Sequence, residues 1–403
     1  MGELHFIAES IVLISVVMIF FGSLFVRLAL RGHRMPRDYN YTPSVTVLMS
    51  CFNEGETVYK TILNVMESKY PGKIQVIAVD DCSKDDSWEW MQKAAQQNPN
   101  IMVLRNEKNL GKPKSLLKAL ELATGELILN IDSDGELHHQ AINQLATCFF
   151  DPTVGAVGGN VMVRNSHENW LSQMQTLQYN TAFQMSKVYE TYSGSVTCIS
   201  GAIFMVRRSI YEQLRPEIEN RNWLGHEVKD GEDRFMTNLI INMGYKTLVN
   251  NKAKVFTDVP TNLKAFFSQQ IRWRRGFVRM MLWSLNFSNL KLKMKHTTAA
   301  SIVRFYILCI LLFLVPLLVL WVLITQGFFM LILFKLKMVI FLSIIHGTNY
   351  VIAYAIGNNI HLSPVAFLVT PFWTLIDLTL VTAIALLTLT SVSWETRLLG
   401  VNK

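Results

Sequence analysis

Long apolar segments at both ends of the chain constrain its fold more than any other feature of the sequence. A helix needs about 20 apolar residues to span the hydrocarbon core of a bilayer. Such segments occur at residues 6–26, 302–324 and 365–392, and at 338–356, which begins after Lys335 and Lys337. The sequence therefore predicts one membrane helix before a central domain and about three after it.

The first apolar segment is predicted to be a membrane helix rather than a cleaved signal peptide. No basic residue precedes it, and no A-x-A-like site closes it. Arg27, Arg31, Arg34 and Arg37 follow it, and by the positive-inside rule they place this end in the cytoplasm. The central domain is then expected in the cytosol, the N terminus outside, and the chain in the plasma (cytoplasmic) membrane.

Composition narrows the class of protein further. The 403 residues are 50% hydrophobic and 17% charged, with a net charge of +8. Globular chains carry about 25% charged residues, so the low charged fraction fits membrane segments and disfavours both disorder and a nucleic-acid partner. The five cysteines lie far apart without a C-x-x-C pair, so neither a disulfide framework nor a zinc site is predicted.

Between the apolar ends, short β-branched runs alternate with amphipathic stretches, which is typical of an α/β sandwich. The predicted strands are 45–50, 74–81, 101–106 and 126–134, and the predicted helices are 56–68, 87–97 and 112–122. No G-x-G-x-x-G turn follows the first strand, which counts against a dinucleotide-binding fold.

Polar residues follow three of these strands. They are the segment CFNE at 51–54, the pair Asp80 and Asp81, and the triplet from Asp132 to Asp134. In open parallel sheets, ligands bind at the carboxyl ends of the strands. Asp132 and Asp134 project the same way on an extended chain, and hard divalent cations prefer such oxygen ligands. A D-x-D triplet alone is more often a solvated loop; its place one strand–helix–strand unit after VDDCSKDD favours a site.

Seven motifs in a fixed order carry a resemblance to a known family. They are CFNE (51–54), VDDCS (79–83), N-x-G-K (109–112), DSD (132–134), SGA (200–202), GEDR (231–234) and Q-x-x-R-W (269–273). Together with the apolar ends, they make essentially the whole chain resemble the inverting, membrane-integrated glycosyltransferases of family 2. The resemblance implies an α/β GT-A catalytic domain, which is Rossmann-like, with interface helices and about four transmembrane helices. The implied boundaries are 1–31, 32–261, 262–301 and 302–403.

Within that family, GEDR, TDVP at 257–260 and QQIRWRRGFVR look most like hyaluronan synthases and bacterial chitin-oligosaccharide synthases. The resemblance implies a processive hexosyltransferase that polymerises UDP-sugars, above all UDP-N-acetylglucosamine, with or without UDP-glucuronate. Its implied partners are the UDP-sugar donors, the growing polysaccharide and membrane lipid, with no nucleic acid and no essential protein partner. The alternatives are another capsule polysaccharide synthase, a transferase that adds one sugar to a lipid carrier, and a transporter or nucleotide-sugar-binding subunit without chemistry.

The resemblance also implies residue roles. Asp233 is the expected base, with Glu232 and Arg234 beside it; the alternative is an N-cap for a predicted helix at 234–243. Asp134, with Asp132, is expected to hold Mn²⁺ or Mg²⁺, and Ser200, Gly201 and Trp273 to border the acceptor sugar. The expected nucleotide-sugar residues are Asn53, Glu54, Asp80, Asp81, Lys112, Asp132, Ser133, Gln269, Arg272 and Trp273. Trp273 alone would equally suit a membrane-interface anchor.

Two amphipathic segments, 169–192 and 263–285, are predicted to join the catalytic domain to the membrane. The second carries Arg272, Arg274, Arg275 and Arg279, of which some are expected to face anionic headgroups and one the diphosphate. Asp377 lies in the middle of the last apolar segment. At that depth, an ionisable residue is either functional or part of a helix-packing hydrogen bond, and the sequence leaves both open.

Overall fold

The structure is a computed structural model that describes residue 10 and residues 37–192, 194–228, 230–285, 299–355 and 364–391. The predicted membrane helix at 6–26 and the arginines at 27, 31 and 34 lie outside the described residues.

One eight-stranded sheet forms the centre of the domain between the apolar ends of the chain. In chain order, the strands are β1 (Val45–Cys51), β2 (Ile74–Asp80), β3 (Ile101–Arg105), β4 (Leu127–Asp132), β5 (Glu136–Leu137), β6 (Val154–Val163), β7 (Ile203–Arg207), β8 (Asn222–Trp223), β9 (His226–Glu227) and β10 (Lys246–Thr257). Of these, β8 and β9 form a separate two-stranded sheet, and the other eight form the central sheet. The order in the sheet is β3-β2-β1-β4-β7-β6-β10-β5. The first four strands occupy the positions that the sequence predicts.

Only part of this sheet is parallel. β1 pairs in parallel with β2 and β4, and β2 pairs in parallel with β3. β7, however, runs antiparallel to both β4 and β6, and β5 runs antiparallel to β10. The predicted open parallel sheet is therefore confirmed for its first half and corrected to a mixed sheet for its second. The correction concerns partners that are far apart in the chain, which local patterns do not reveal.

Helices cover the sheet and connect it to the apolar end of the chain. They are α1 (Glu56–Met66), α2 (Ser87–Ala95), α3 (Lys112–Leu120), α4 (Ala141–Ala146), α5 (Trp170–Asn180), α6 (Lys187–Tyr192), α7 (Arg208–Glu219), α8 (Glu232–Asn242), α9 (Leu263–Leu285), α10 (Ala299–Ala355), α11 (Pro364–Ile376) and α12 (Thr382–Leu387). The helices predicted at 56–68, 87–97, 112–122 and 263–285 are confirmed to within about two residues at each end. A buried apolar core lies between these helices and the sheet, with Leu48, Ile77 and Leu129 fully buried at its centre.

The first predicted amphipathic segment, 169–192, is helical along its length but not a single α-helix. Asn169 is the N-cap of α5 and forms a reciprocal capping box with Ser172. A π-helical turn at Thr181–Ser186 then separates α5 from α6. Such turns often mark functional sites, and this one lies directly after the end of α5 that faces the polar strand ends.

Two described helical segments, Gly327–Ile345 and Pro364–Leu387, are long and apolar enough to cross a membrane. Gly327 has a positive φ of 80° and divides α10 into two helical parts. The predicted span at 302–324 is helical within α10, but the count of four spans is not confirmed. The segment predicted at 338–356 is also placed differently, because the apolar window begins at Gly327 and includes Lys335 and Lys337.

The apolar helices expose large hydrophobic side chains over much of their length. Ile324, Phe328 and Phe329 are each at least 70% exposed, and Leu368 on α11 is 62% exposed. Exposed apolar surface on this scale marks an interaction with membrane or protein. Together with the length of the segments, it supports a lipid-facing surface.

Candidate functional site

The carboxyl ends of β1, β2 and β4 meet at one edge of the sheet, as predicted. In the register of the sheet, Cys51 lies opposite Asp80, and Ser50 lies opposite Asp132. The polar segments that follow these three strands are therefore neighbours, although they are separated by up to about 80 positions in the sequence. They form one crevice with two unlike sides.

The first side, here called the nucleotide side, consists of the loops after β1 and β2. The Asn53 amide donates to Ser83 Oγ at 2.9 Å, and the Lys84 amide donates back to Asn53 Oδ1 at 2.9 Å. Asn53 has a φ of 55°, a left-handed conformation that asparagine adopts more readily than most residues. The Glu54 amide donates to Ser87 Oγ at 2.8 Å. The two loops are thus locked to each other by reciprocal hydrogen bonds.

Both aspartates of the second motif are buried. Asp80 pairs with Arg105 at 3.0 Å and accepts the Ser83 amide at 3.0 Å. Asp81 accepts three hydrogen bonds of 2.8 Å, from Asn106 Nδ2 and from the amides of Leu110 and Gly111. These carboxylates hold the loop that leads into α3. At most 1% of either residue is exposed. Contacts from Asp80 and Asp81 to a nucleotide stay a prediction.

The second side, here called the transfer side, gathers charged groups from β4, α3 and α8. The Lys112 ammonium pairs with Asp132 and lies 3.7 Å from Glu232 Oε1. It also donates to the carbonyl oxygen of Gly201 at 3.3 Å. Lys112 occupies the N-terminal end of α3, directly after Gly111, whose φ is 83°. A lysine, an aspartate and a glutamate from three separate elements thus meet around one backbone carbonyl.

Asp233 lies beside this group, within the first turn of α8. Its Oδ2 accepts the Gly201 amide at 3.1 Å, and its Oδ1 accepts the Arg234 amide at 2.7 Å. The N-cap of α8 is Gly231, with a φ of 67°, so the alternative reading of Asp233 as the N-cap residue is wrong. The amides at a helix N terminus favour negative charge, which suits an ionised carboxylate at this position.

Gly201 lies between Lys112 and the two acids at the start of α8. A Cβ atom at this position would lie 3.4 Å from Lys112 Nζ, 3.5 Å from Asp233 Cβ and 3.6 Å from Glu232 Oε1. Its carbonyl faces the lysine and its amide faces the aspartate. The Ser200 hydroxyl accepts the Ala202 amide at 3.4 Å, which keeps the SGA segment turned. The predicted acceptor-binding backbone therefore lies directly against the predicted base.

The pKa values of the transfer side reflect both burial and neighbouring charge. Burial raises the pKa of Glu232, Lys112 lowers it, and Asp233 raises it again, so that it ends above its ordinary value. Burial alone would lower the pKa of Lys112, but Asp132, Glu232 and Asp233 together outweigh this and raise it. Lys112 is therefore a permanent cation in the site.

A residue that the sequence reasoning did not select connects this cluster to α9. Burial raises the pKa of Tyr179, the nearby Asp132 raises it further, and Arg272 lowers it. The Tyr179 ring also lies 6.3 Å from the Trp273 ring, measured between centroids. Tyr179 is therefore close to the DSD triplet and to the Q-x-x-R-W motif. Its only signal in the sequence was its place as an aromatic residue on the predicted amphipathic segment.

The Q-x-x-R-W motif lies on α9. The Nε of Arg272 is buried and has no hydrogen-bond partner among the described residues, and Trp273 is 45% exposed. Gln269 accepts a hydrogen bond of 3.3 Å from Gln270. A buried guanidinium nitrogen without a partner is costly in a folded protein, so Arg272 is ready to bind an anion.

The expectation that the other α9 arginines face lipid headgroups is wrong. Arg274 pairs with Asp377, and Arg279 pairs with Asp230. Arg275 donates to the Ser391 carbonyl at 3.5 Å. These side chains reach protein partners because the end of the apolar region packs directly on α9. For Asp377, the structure favours the helix-packing alternative.

The residues fit a divalent cation only in part. Among the described residues, no group of three His, Cys, Asp or Glu side chains gathers into a metal-binding cluster. Mg²⁺ is commonly held by one or two carboxylates, with phosphate and water as its other ligands, and Asp134 with Asp132 offers such a set. Asp132 pairs with Lys112, and Asp134 as the main ligand of a divalent cation stays a prediction.

Sequence comparisons find similarity to a known family over part of the chain. Residues 46–215 match the family model described as Glycosyl transferase family 2. The chain is 31% identical over 246 residues to an N-acetylglucosaminyltransferase of Rhizobium meliloti and 33% identical over 252 residues to one of Rhizobium leguminosarum bv. viciae. It is 28% identical over 281 residues to a hyaluronan synthase of Streptococcus pyogenes serotype M3, covering 68% of this chain and 65% of that protein. The two N-acetylglucosaminyltransferase alignments cover 60% and 62% of this chain and 58% and 59% of those relatives, less than two thirds of their length.

A solved structure supports the fold over nearly the whole chain. The mannosyltransferase of Pyrobaculum calidifontis, in complex with GDP-mannose and Mn²⁺, superposes with a TM-score of 0.60 and 18% identity. The match covers 95% of this chain and 99% of that one. At this identity the likeness concerns the fold alone. It confirms the predicted GT-A fold and extends it to the mixed half of the sheet.

Proposed function

We propose that this chain, whose residues 46–215 form a glycosyl transferase family 2 domain, is an inverting hexosyltransferase that takes its sugar from a UDP-sugar. The observation that carries this proposal is the transfer side. There, the Asp233 carboxylate accepts the Gly201 amide at 3.1 Å, next to the buried Lys112 and its partner Asp132. A carboxylate for proton removal and a fixed cation for a leaving phosphate are the two groups that the reaction needs.

In the proposed reaction, Asp233 acts as the base. It takes the proton from the acceptor hydroxyl while that oxygen forms a bond to the anomeric carbon of the donor sugar. The bond from the anomeric carbon to the diphosphate breaks on the opposite face, and UDP leaves with the electron pair. Inversion at the anomeric carbon follows from this geometry and gives a β-linkage.

The negative charge that develops on the leaving diphosphate needs fixed positive groups. Lys112 and the unpartnered Nε of Arg272 would supply them from two sides of the crevice. A divalent cation, Mn²⁺ or Mg²⁺ bound at Asp134, would add further charge neutralisation when present. Asn53 and Glu54, in the locked loops of the nucleotide side, would border the nucleoside.

We further propose that the product is a β-linked polysaccharide of chitin or hyaluronan type, exported across the plasma membrane. The names of the relatives support N-acetylglucosamine as one donor sugar. The apolar segments Gly327–Ile345 and Pro364–Leu387 support synthesis at a membrane, and the second of them is joined to α9 by the pair between Asp377 and Arg274. In this proposal the catalytic domain faces the cytosol, and the growing polymer and lipid are the partners of the chain.

Product analysis on purified full-length protein in detergent or liposomes tests the proposal. With Mn²⁺, we expect UDP release from UDP-N-acetylglucosamine and its loss when EDTA is added. Polymer from this donor alone indicates a chitin-type product, and strict dependence on added UDP-glucuronate indicates a hyaluronan-type product. A single-sugar lipid product would instead support the lipid-carrier transferase. Absence of UDP release from every UDP-sugar would refute a transferase altogether.

A further inference from the structure

A buried ion pair connects the segment before the proposed base to α9. Asp230 lies two residues before Glu232, and its carboxylate pairs with the guanidinium of Arg279. Both side chains are buried, at most 7% exposed. A buried charge pair of this kind holds its two elements together, because separating them would leave each charge without compensation.

The same guanidinium also binds the end of the apolar region. Arg279 Nε and Nη2 donate to the Leu389 carbonyl at 3.0 Å and 2.8 Å, and Nη2 donates to the Ser391 carbonyl at 2.9 Å. These carbonyls directly follow α12, which ends the apolar segment Pro364–Leu387. Arg279 therefore holds the turn that follows this helix end while it pairs with Asp230.

A backbone contact lies next to the ion pair. Gly231, the N-cap of α8, packs against Gly276 of α9. A Cβ atom added to Gly231 would lie 3.2 Å from Gly276 Cα, and one added to Gly276 would lie 3.4 Å from Gly231 Cα. A Cβ atom at Gly231 would require the Gly276 backbone to give by a few tenths of an ångström, and one at Gly276 would just touch Gly231. One turn along, the Arg234 guanidinium lies 4.9 Å from the centre of the Phe277 ring.

The other side of this segment is held by an arginine as well. Arg221 Nη2 donates to the Gly231 carbonyl at 3.2 Å, and its guanidinium lies 4.9 Å from the Phe235 ring. The first turn of α8 is therefore fixed from both sides, by Arg221 and by α9. Its two acids, Glu232 and Asp233, take their position from these contacts.

From these contacts we infer that Arg279 is a positioning residue. It holds Asp233 in the position from which Asp233 reacts. Through Arg279, this position also depends on the end of the α11–α12 apolar segment. The inference rests on the proposed function, since it assigns Asp233 as the base. Arg279 itself touches neither sugar nor nucleotide. A shift of the helix end at Leu389–Ser391 would be passed through one guanidinium to Asp230 and from there to the first turn of α8.

The inference predicts a loss of turnover without a loss of nucleotide binding. In full-length protein, Arg279→Gln should lower kcat about tenfold or more, because a displacement of about 1 Å at a reacting group can cost 10²-fold. Calorimetry should give an unchanged Kd for UDP, since the nucleotide side has no contact with Arg279 among the described residues. Hydrogen exchange at the amides of 231–235 should become faster. Gly276→Ala changes no charge, and it should lower kcat and speed exchange at 231–235 by smaller factors.

Two comparison variants separate positioning from general support. Arg279→Lys keeps the charge opposite Asp230 but lacks the guanidinium nitrogens that donate to the Leu389 and Ser391 carbonyls. Its kcat should therefore lie between those of Arg279→Gln and the wild type. Arg274→Gln removes the neighbouring α9 ion pair to Asp377, which has no contact with 230–231 among those described. It should leave exchange at 231–235 close to that of the wild type.

Each outcome decides the inference. Faster exchange at 231–235 in Arg279→Gln, with lower kcat per UDP-binding site, supports it. Unchanged exchange in Arg279→Gln, or equally fast exchange in Arg274→Gln, overturns it. If the wild-type protein releases no UDP from any donor, the proposed function fails, and the exchange comparison alone still decides whether Arg279 orders the first turn of α8.

Discussion

The two sides of the crevice bury acidic groups in different ways. On the nucleotide side, Asp81 accepts three hydrogen bonds of 2.8 Å from one loop, and Asp80 pairs with Arg105. On the transfer side, Glu232, Asp132 and Asp233 lie around Lys112, and the guanidinium of Arg221 also lies near Glu232. The acids of the first side are held by hydrogen bonds from neighbouring loops and by one ion pair. The acids of the second side share their cations.

This difference indicates a division of tasks. A carboxylate whose acceptor sites are filled by backbone amides fixes the shape of a loop but has little capacity left for chemistry. Acids and cations that share partners in a buried cluster are candidate functional groups. The nucleotide side thus shapes a pocket, and the transfer side is suited to move a proton and to bind an anion. Four substitutions test this comparison, from the largest expected effect to the smallest.

The largest effect is expected at the proposed base. Asp233→Asn keeps an oxygen for the Gly201 amide but cannot take a proton, so kcat should fall by about 10³-fold, within the usual range for general bases. The UDP Kd should change little, and a UDP-release assay together with calorimetry measures both. Asp258→Asn, which alters a partly exposed ion pair with Arg164, is the matched control and should stay within about twofold of wild type. Loss of UDP binding in Asp233→Asn would contradict the division of tasks.

Removing the central cation should have the next largest effect. Lys112→Met leaves Asp132 and Glu232 without their shared partner, and kcat should fall by about 10²-fold through loss of charge at the leaving group. The melting temperature in detergent should also fall. Lys114 lies on the same helix as Lys112, and Lys114→Met removes an exposed ion pair with Glu227. This variant should change neither kcat nor the melting temperature appreciably. Equal effects of the two lysine substitutions would show that helix charge, not the site, is responsible.

On the nucleotide side, the expected effect is on stability. In Asp81→Asn, an NH₂ group replaces one oxygen that accepts hydrogen bonds from the loop at 106–111, so that donors face each other. This should lower the free energy of unfolding by about 2 kcal/mol. UDP affinity should fall with it, because the loop at 106–111 loses its anchor. Thermal unfolding and UDP calorimetry check this, with the exposed Asp86→Asn as control. A variant of normal stability that has lost UDP affinity would mean that Asp81 contacts the nucleotide directly.

The smallest effect is a change in pH dependence. Since burial raises the pKa of Glu232 above its unfolded value, its contribution to stability is present below the unfolded pKa and is lost as the pH rises through the raised value. Glu232→Gln should therefore flatten the decline in melting temperature as the pH rises above the ordinary titration range of a glutamate. Glu217→Gln, at an exposed position on α7, should keep the wild-type slope. An unchanged slope in Glu232→Gln would show that this acid is ionised throughout.

Much of the local structure could be predicted from the sequence. The strand at 45–50, the strand at 101–106 and the helix at 263–285 differ from the observed elements by at most one residue at either end. Their apolar residues recur with a period that matches the element, and each is bounded by turn residues. The strand ends that form the crevice follow from the same patterns, because parallel neighbours bring their carboxyl ends together.

The partners of individual charges could not be predicted in this way. Arg274, Arg275 and Arg279 lie on a basic amphipathic helix, a pattern typical of a membrane surface, yet they bind Asp377, Ser391 and Asp230. Tyr179 had no motif around it. In each case the partner is remote in the sequence, at a distance of about 50 to 120 positions for the arginines, and no local pattern records it.

By itself, the sequence determined most of the elements of this protein, the edge at which its polar residues gather and the family that it resembles. Local hydrophobic periodicity and turn chemistry are sufficient for the elements, and the ordered motifs are sufficient for the resemblance. Only the tertiary structure decided that the sheet is mixed, that Asp81 holds the loop after β3 and that Arg279 connects an apolar helix end to Asp230. These properties depend on which distant groups pack together, because burial and the distance between charges arise only when the chain is folded.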